Sequence, residues 1–345
     1  MDDYANIDPE LAPALRAFQL QVGGALDLSD LPALRAGMLQ MVAAATEASR
    51  GAAARPGPAA LTVTEWVAPG ADGAPGVPVR LYRPTATSAP LPVLLWVHGG
   101  GFVLGDAAQD DGLLRALAEQ VPCAVAAVDY RLAPEHPHPA PLEDCYAALR
   151  WLAGQAAGLG LDPERIAVGG ASAGGGLAAC LALLARDRAE VRLACQLLLY
   201  PMLDDRNTAP AGPDCPDTVV WTRENNHTGW NALLSGRAGA AETSGYAAAA
   251  RAERLAGLPP AYIAVGACDL FLDEDIAYAR RLLHAGVATE LRVYAGAYHG
   301  FDSIAGGTAA ARRFIEDRDS YLRRMLRAEP VRARPCADIP LENKC

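Results

Sequence analysis

The sequence predicts an α/β protein: a mostly parallel central sheet flanked by helices, with a helical cap added to it. Three observations carry this. From about residue 90, short apolar runs alternate with amphipathic stretches, the rhythm of a sheet layered by helices. The runs are continuous in Val, Leu, Ile and Ala, as expected of parallel strands covered on both faces. The rhythm breaks once, between Leu203 and Leu255, where no buried strand is evident and Pro210, Pro213 and Pro216 interrupt the pattern.

In chain order, residues 1–50 read as helical. Leu11, Leu15 and Phe18, then Leu31, Leu34, Met38 and Met41–Val42, recur at helix spacing. Arg55-Pro56-Gly57-Pro58 ends that pattern. Leu61–Val67 and Val77–Arg83 read as an antiparallel pair joined by the Gly/Pro/Asp cluster from Pro69 to Pro75. The following strands are expected at Pro92–His98, Cys123–Asp129, Arg165–Gly169, Cys195–Tyr200, Tyr262–Gly266 and Glu290–Tyr294. Helices are expected at Gln109–Gln120, Leu142–Gln155, Ala173–Arg188, Asp273–Ala285 and Thr308–Leu326, with one more near Glu224–Leu234 inside the interruption. The expected organisation is therefore N-terminal cap helices (1–50), a core in two parts (51–202 and 255–326), a cap insertion (203–254), and a C-terminal tail without periodicity (327–345).

The totals agree with this plan. A chain of 345 residues suits one core with an appended cap. A formal charge of -10 and the lack of a basic cluster argue against a nucleic-acid partner. Eight cysteines without close CxxC spacing argue against a structural zinc, and Cys123, Cys195 and Cys268 read as small core residues. Met1-Asp2-Asp3-Tyr4 lacks the pattern of a signal peptide, and no apolar run approaches the roughly 20 residues that span a bilayer. The expected setting is the cytoplasm, with no membrane partner.

Four groups point to chemistry. Gly170-Ala171-Ser172-Ala173-Gly174 follows one expected strand directly and opens an apolar helix. A nucleophile on a sharp strand-to-helix turn needs small neighbours for clearance and for unusual backbone angles, and the helix behind it favours developing negative charge. Taken alone in a Gly-rich chain, the match is weak. A phosphate loop fits less well, because Ser172 stands where a Gly would be needed and no Lys follows. His98-Gly99-Gly100-Gly101 follows another buried strand, and bare glycines let N–H groups face a ligand. The N–H groups of Gly100, Gly101 and Ala173 are the candidate oxyanion hole, and His98 reads as a structural brace. His299 lies just past the last strand, where ligand sites of such sheets form. Asp269 follows the strand before it, whereas Asp273 and Glu274 read as the start of the next helix. The chain order Ser172, Asp269, His299 is that of the α/β-hydrolases, with each residue following a strand of one sheet.

With these motifs the sequence resembles the hormone-sensitive-lipase-like esterases, bacterial family IV of the α/β-hydrolase superfamily. The resemblance runs from about residue 90 to 325. It rests on His98–Gly101, Asp129-Tyr130-Arg131-Leu132-Ala133-Pro134-Glu135, Gly170–Gly175, Tyr200-Pro201-Met202-Leu203-Asp204, Leu255–Ala261, Asp269–Glu274 and Tyr298–Phe301. It implies hydrolysis of small carboxylic esters, often of short acyl chains, by Ser172, His299 and Asp269, with no metal or organic cofactor. It implies a cap made from the N-terminal helices and the 203–250 insertion, and a framework role for Asp129–Glu135. Ala171 stands where the family commonly has Asp or Thr, and Ala267 where many relatives carry Glu. The same triad serves amide and lactone cleavage. A ligand-binding receptor on this scaffold is the reading from a different class, and there the catalytic His is lost. Trp221, Trp230 and Phe18 are equally candidates for pocket walls and for the cap's own core. The last strand, as a sheet edge, offers a route to a homodimer.

Overall fold

A computed structural model describes residues 4, 6–24, 26–40, 61–71, 73–85, 90–207 and 220–327. Among them eight strands form one sheet: β1 (Leu61–Ala68), β2 (Val77–Pro84), β3 (Leu91–Val97), β4 (Ala124–Val128), β5 (Leu161–Ala171), β6 (Gln196–Leu199), β7 (Ala261–Gly266) and β8 (Thr289–Tyr294). Their spatial order is β1-β2-β4-β3-β5-β6-β7-β8. β1 and β2 pair antiparallel from Leu61↔Pro84 to Ala68↔Val77, and β2 joins β4 antiparallel. Every other neighbouring pair is parallel.

The helices are α1 (Ala12–Val22), α2 (residues 31–40), α3 (Asp111–Gln120), α4 (Ala140–Gln155), α5 (Ala173–Arg188), α6 (Arg223–Leu233), α7 (Leu272–His284), α8 (Phe301–Ile304) and α9 (Ala309–Met325). Side chains of the central strands divide with period two. Val93, Leu95 and Val97 of β3 enter one hydrophobic layer, and Leu94 and Trp96 enter the other. Both layers are covered, so all seven residues of β3 are buried. Helix α5 is buried from Ala173 to Ala185. Its run of Ala and Gly lets it lie close against β5 and β3, where larger side chains would hold it off.

The antiparallel pair, the parallel sheet and the flanking helices lie where the sequence predicts them, with ends displaced by a residue or two. The exception is β5, which begins at Leu161, four residues earlier than expected, because Leu161 pairs with Leu91 across a register shift. The short helix α8 and a 3-10 turn at Ala249–Arg251 have no counterpart in the sequence reading. Cys123 and Cys195 are buried, but Cys268 is partly exposed, because it stands past the end of β7 in a turn. Met41–Val42, Arg55–Pro58, the three prolines of the insertion and residues 328–345 lie outside the described residues.

Between β6 and β7 the interruption carries α6, capped by Thr222, whose Oγ1 accepts the Asn225 N–H at 3.1 Å. Asp205 is fully buried at the root of this segment. It accepts Arg251 through Nε (2.7 Å) and Nη2 (3.0 Å), and also the Gly239 N–H (2.8 Å) and the Thr243 hydroxyl (3.0 Å). Both carboxylate oxygens are thus hydrogen-bonded, one donor group being a guanidinium, which offsets the cost of burying the group. Among the described residues, no helix is long and apolar enough to cross a membrane.

Candidate active site

The turn from β5 to α5 is built on clearance. A Cβ on Gly170 would fall 2.4 Å from the Gly174 carbonyl oxygen, and one on Gly174 would fall 2.1 Å from that of Val97. The sequence reading gave these glycines unusual angles as well. In the structure the strain sits on the serine itself, at φ 57° and ψ −123°. Its backbone is pinned on three sides: Ser172 N–H to the Leu199 carbonyl (2.9 Å), and the Ser172 carbonyl from Gly176 N–H (3.0 Å) and Met202 N–H (2.9 Å). Strain of this kind persists only where the surroundings over-determine the backbone.

His299 lies in the loop between β8 and α8. Its Nε2 is 3.0 Å from Ser172 Oγ, and its Nδ1 is 2.8 Å from Asp269 Oδ2. A carboxylate only accepts, so Nδ1–H donates to Asp269 and Nε2 is left to accept from the serine hydroxyl. The other Asp269 oxygen accepts the Phe271 N–H at 3.0 Å. Ser172, Asp269 and His299 are only 8%, 5% and 7% exposed. Asp273, by contrast, is exposed in the first turn of α7. The structure therefore brings Ser172, Asp269 and His299 together and leaves Asp273 at the surface.

The loop after β3 packs against this turn, since a Cβ on Gly99 would sit 3.0 Å from the Ala171 carbonyl oxygen and 3.5 Å from Ser172 Cβ. Gly100, Gly101 and Phe102 have φ of 114°, 60° and 69°. The Gly100 carbonyl accepts the N–H groups of Val103 (3.1 Å) and Leu104 (2.9 Å), which folds the loop into a tight hook. The Ala173 N–H, in the first turn of α5, has no intrahelical acceptor. His98 braces the hook from below. Nδ1–H donates to the Gly99 carbonyl at 2.8 Å, and the ring stacks on Tyr130 at 4.2 Å, whose hydroxyl donates to the His98 carbonyl at 3.0 Å. Burial lowers the His98 pKa to about 4, so the ring is neutral at ordinary pH.

Of the aromatic residues in question, Trp221 lies directly on the hook. A Cβ on Gly101 would fall 2.2 Å from its six-membered ring. Trp230 is fully buried and packs on Phe102, with ring centroids 5.0 Å apart. Phe18, on α1, is half-buried. The two tryptophans thus both cover the hook and form part of the core.

Four residues escaped the sequence reading. Tyr200 packs against His299 at 4.8 Å, and its hydroxyl donates to Asp302 at 3.0 Å. Burial pushes the Asp302 carboxyl up from its ordinary value, while Arg318 works against that shift. Glu274 lies in the first turn of α7, at the helix start where the sequence placed it. What the sequence did not show is that it is buried, accepting the N–H groups of Leu203 (2.6 Å) and Asp204 (3.3 Å) and the Asn207 amide (2.7 Å). Burial pushes its pKa up to about 8 despite these bonds. The fourth is Arg35 on α2, whose one visible signal was its place inside the apolar stripe Leu31, Leu34, Met38. The Glu274 contacts link positions some 70 residues apart, which no local pattern encodes.

A separate cavity of about 1110 Å³ lies between α4 and the β1–β2 turn, lined by Arg131, Arg150, Arg188, Tyr146 and Trp151 among others. Its guanidiniums are each ion-paired, to Asp144, Glu190 and Glu143. It does not include Ser172. Among the described residues no cluster of metal-binding side chains is found.

Comparison with known proteins gives a consistent answer. A family model described as alpha/beta hydrolase fold matches residues 94–303. The chain is 39% identical over 242 residues to Carboxylesterase NlhH of Mycobacterium tuberculosis, covering 68% of this chain and 74% of that protein. It is 40% identical over 258 residues to Esterase LipI of the same organism, covering 70% and 76%. Among solved structures it is similar to a bacterial heroin esterase, with a TM-score of 0.85, 40% identity, and 94% and 99% of the two chains covered. It is also similar to a hyperthermophilic esterase from the archaeon Pyrobaculum calidifontis, with a TM-score of 0.78, 30% identity and coverage of 92% and 98%. The strand order, the hook beside the strained serine and these matches together make the chain a member of the α/β-hydrolase-fold family, in its hormone-sensitive-lipase-like branch.

Proposed function

We propose that the protein is a serine carboxylesterase in which Ser172 is the nucleophile, His299 the general base and then acid, and Asp269 the carboxylate that orients the imidazole. The observation that carries this is the His299 ring, hydrogen-bonded on one side to Ser172 and on the other to Asp269. Ser172 Oγ attacks the ester carbonyl as its proton passes to His299 Nε2. The tetrahedral oxyanion is held by the N–H groups of Gly100, Gly101 and Ala173. His299 returns the proton to the departing alcohol, leaving an acyl-serine. Water then attacks the acyl carbon, its proton goes to His299, and the acid leaves as Ser172 recovers its hydrogen. Side chains, backbone N–H groups and water carry every proton and electron pair, so this chemistry calls on no metal or organic cofactor.

Esters are preferred over amides and lactones because the named relatives are carboxylesterases and esterases. Short acyl chains are the proposed preference because Trp221 packs directly on Gly101 of the hook, beside which Ser172 is only 8% exposed. The cap in this reading comprises residues 1–50 and 203–254, over a core of 51–202 and 255–326. Buried thiols at Cys123, Cys145, Cys180 and Cys195 fit a reducing compartment such as the cytoplasm. β8 ends the sheet, and antiparallel pairing with a second copy about Leu291 would set Glu290 opposite Arg292, so a homodimer is the proposed assembly. Sedimentation of the purified chain tests that point.

The central test is covalent. A fluorophosphonate should label Ser172 in the wild-type protein and fail on Ser172→Ala, which should also lose p-nitrophenyl acetate hydrolysis while keeping its fold. A non-catalytic receptor would not be labelled in either form. A panel of p-nitrophenyl esters, an anilide and a lactone then ranks the substrates.

A further inference from the structure

We propose that Arg35 of helix α2 is a positioning residue for the oxyanion hook, so that catalysis depends on α2 being docked. The inference rests on the esterase reading given above. The hook is a strained element. Phe102 holds a left-handed backbone at φ 69°, a region that residues with a side chain disfavour and that lasts only if neighbours enforce it.

The core supplies part of the enforcement, through the His98 brace and the Ala133 N–H, which donates to the Phe102 carbonyl at 3.0 Å. The next carbonyl along, Val103, is held from outside the core. Arg35 Nε donates to it at 2.7 Å. The same guanidinium donates through Nη2 to the Ala133 carbonyl at 2.8 Å, and through Nη1 and Nη2 to the two Glu135 oxygens at 2.8 and 3.0 Å. One planar fork therefore ties α2 to the oxyanion hook and to the 129–135 loop at once. The two loops were already joined by the Ala133–Phe102 bond, and Arg35 locks the adjacent carbonyl on each. Val103 and Ala133 are fully buried. Without the guanidinium their carbonyls lose a charged donor at a place where water cannot easily substitute.

The hydrogen bonds of Arg35 go to Val103, Ala133 and Glu135 and not to Ser172, His299 or Asp269, so its influence should reach the reaction through the hook. Val103 is two residues from Gly101, one of the proposed donors. A shift of the Val103 peptide would tilt the donors away from the oxyanion and leave the serine–histidine pair in place.

The test uses the full chain, a p-nitrophenyl ester, and active-site titration with a fluorophosphonate, so that turnover is expressed per titrated serine. Arg35→Ala should lower kcat per titrated site by about 10–100-fold, below the 10²–10³ lost with a whole oxyanion donor, and leave KM within about threefold. A trifluoromethyl ketone, which forms an oxyanion on binding Ser172, should lose affinity in parallel with kcat. Arg35→Lys keeps charge and stem but not the fork, and should fall between the two. If Arg35→Ala does not fold, Arg35→Lys decides by the same readout. A purely structural residue would reduce the titrated fraction and Tm and leave kcat per site unchanged; that result overturns the proposal. So does a loss confined to KM, which would make α2 only a wall of the substrate pocket. Failure of the wild-type serine to label would remove the underlying esterase reading, and it is seen before any Arg35 variant is made.

Discussion

At the scale of single residues, the serine and the two acids near the end of β7 give the sharpest expectations. Ser172 at φ 57° stores strain that a glycine would not feel. Ser172→Gly should therefore melt higher than Ser172→Ala by the equivalent of about 1–3 kcal/mol. Equal melting temperatures for the two variants would show that the turn is not strained. Asp269→Asn should reduce turnover by roughly 10⁴, the loss expected when an orienting carboxylate no longer fixes the histidine tautomer. Asp273→Asn, at an exposed position, should stay near wild type in the same p-nitrophenyl ester assay. The reverse pattern would transfer the orienting role to Asp273. The residues of this constellation were legible because short motifs announce them: glycines around a serine, glycines after a strand, a histidine past the last strand. Tyr200 and Asp302, which support His299 from behind, were not. A tyrosine at the end of an apolar run has the same sequence appearance whether it fills a core or backs a catalytic ring.

At the scale of elements, α7 ties the β7 side of the site to the segment that leaves β6. Glu274 in its first turn accepts the N–H groups of Leu203 and Asp204. Its folded pKa of about 8 stands above the ordinary 4.5. A raised folded value means that the native state holds the proton more tightly than the unfolded chain. The associated stability is complete below pH 4.5 and is lost as pH rises through about 8. Glu274→Gln, which keeps an acceptor oxygen and cannot ionise, should flatten the fall of Tm across that window. Asp275 is buried beside it, and burial together with the charges of Glu274 and Asp269 raises its pKa in the same direction, so some slope should remain. An unchanged slope would mean that Glu274 is ionised throughout. The turn into α5 makes a second demand. Gly174→Ala would place a methyl 2.1 Å from the Val97 carbonyl oxygen, against backbone that cannot swing aside. It should destabilise the fold, whereas Gly112→Ala, in helix α3 with nothing within 4 Å, should be neutral or stabilising, as read by urea denaturation. Elements of this kind were legible from periodicity, and their ends were not. β5 gains four residues from its pairing with Leu91, a contact between distant parts of the chain.

At the scale of the whole molecule, the segments proposed as a cap are where the sequence revealed least. It showed an interruption and a helix, but not that Trp221 rests on Gly101 or that Arg35 reaches Val103. Those contacts join segments far apart in the chain, and only the folded sheet makes them neighbours. Ser172 and His299 are under a tenth exposed. Trp221→Ala should widen the space over the hook and shift preference toward longer acyl chains, measured as kcat/KM across a p-nitrophenyl series from acetate to decanoate. A preference that does not move would place the acyl group elsewhere.

The order in which the site's parts occur has a consequence for the protein's manufacture. Ser172, the proposed nucleophile, lies 127 residues ahead of His299, its proposed base, and the strand before His299, β8, is one edge of the sheet. At the usual 5–20 residues per second, a ribosome needs about 6–25 s to travel from one to the other. Throughout that interval the emerging polypeptide holds a serine with no proton acceptor, so on the reading proposed above a product terminated before residue 299 should be inert.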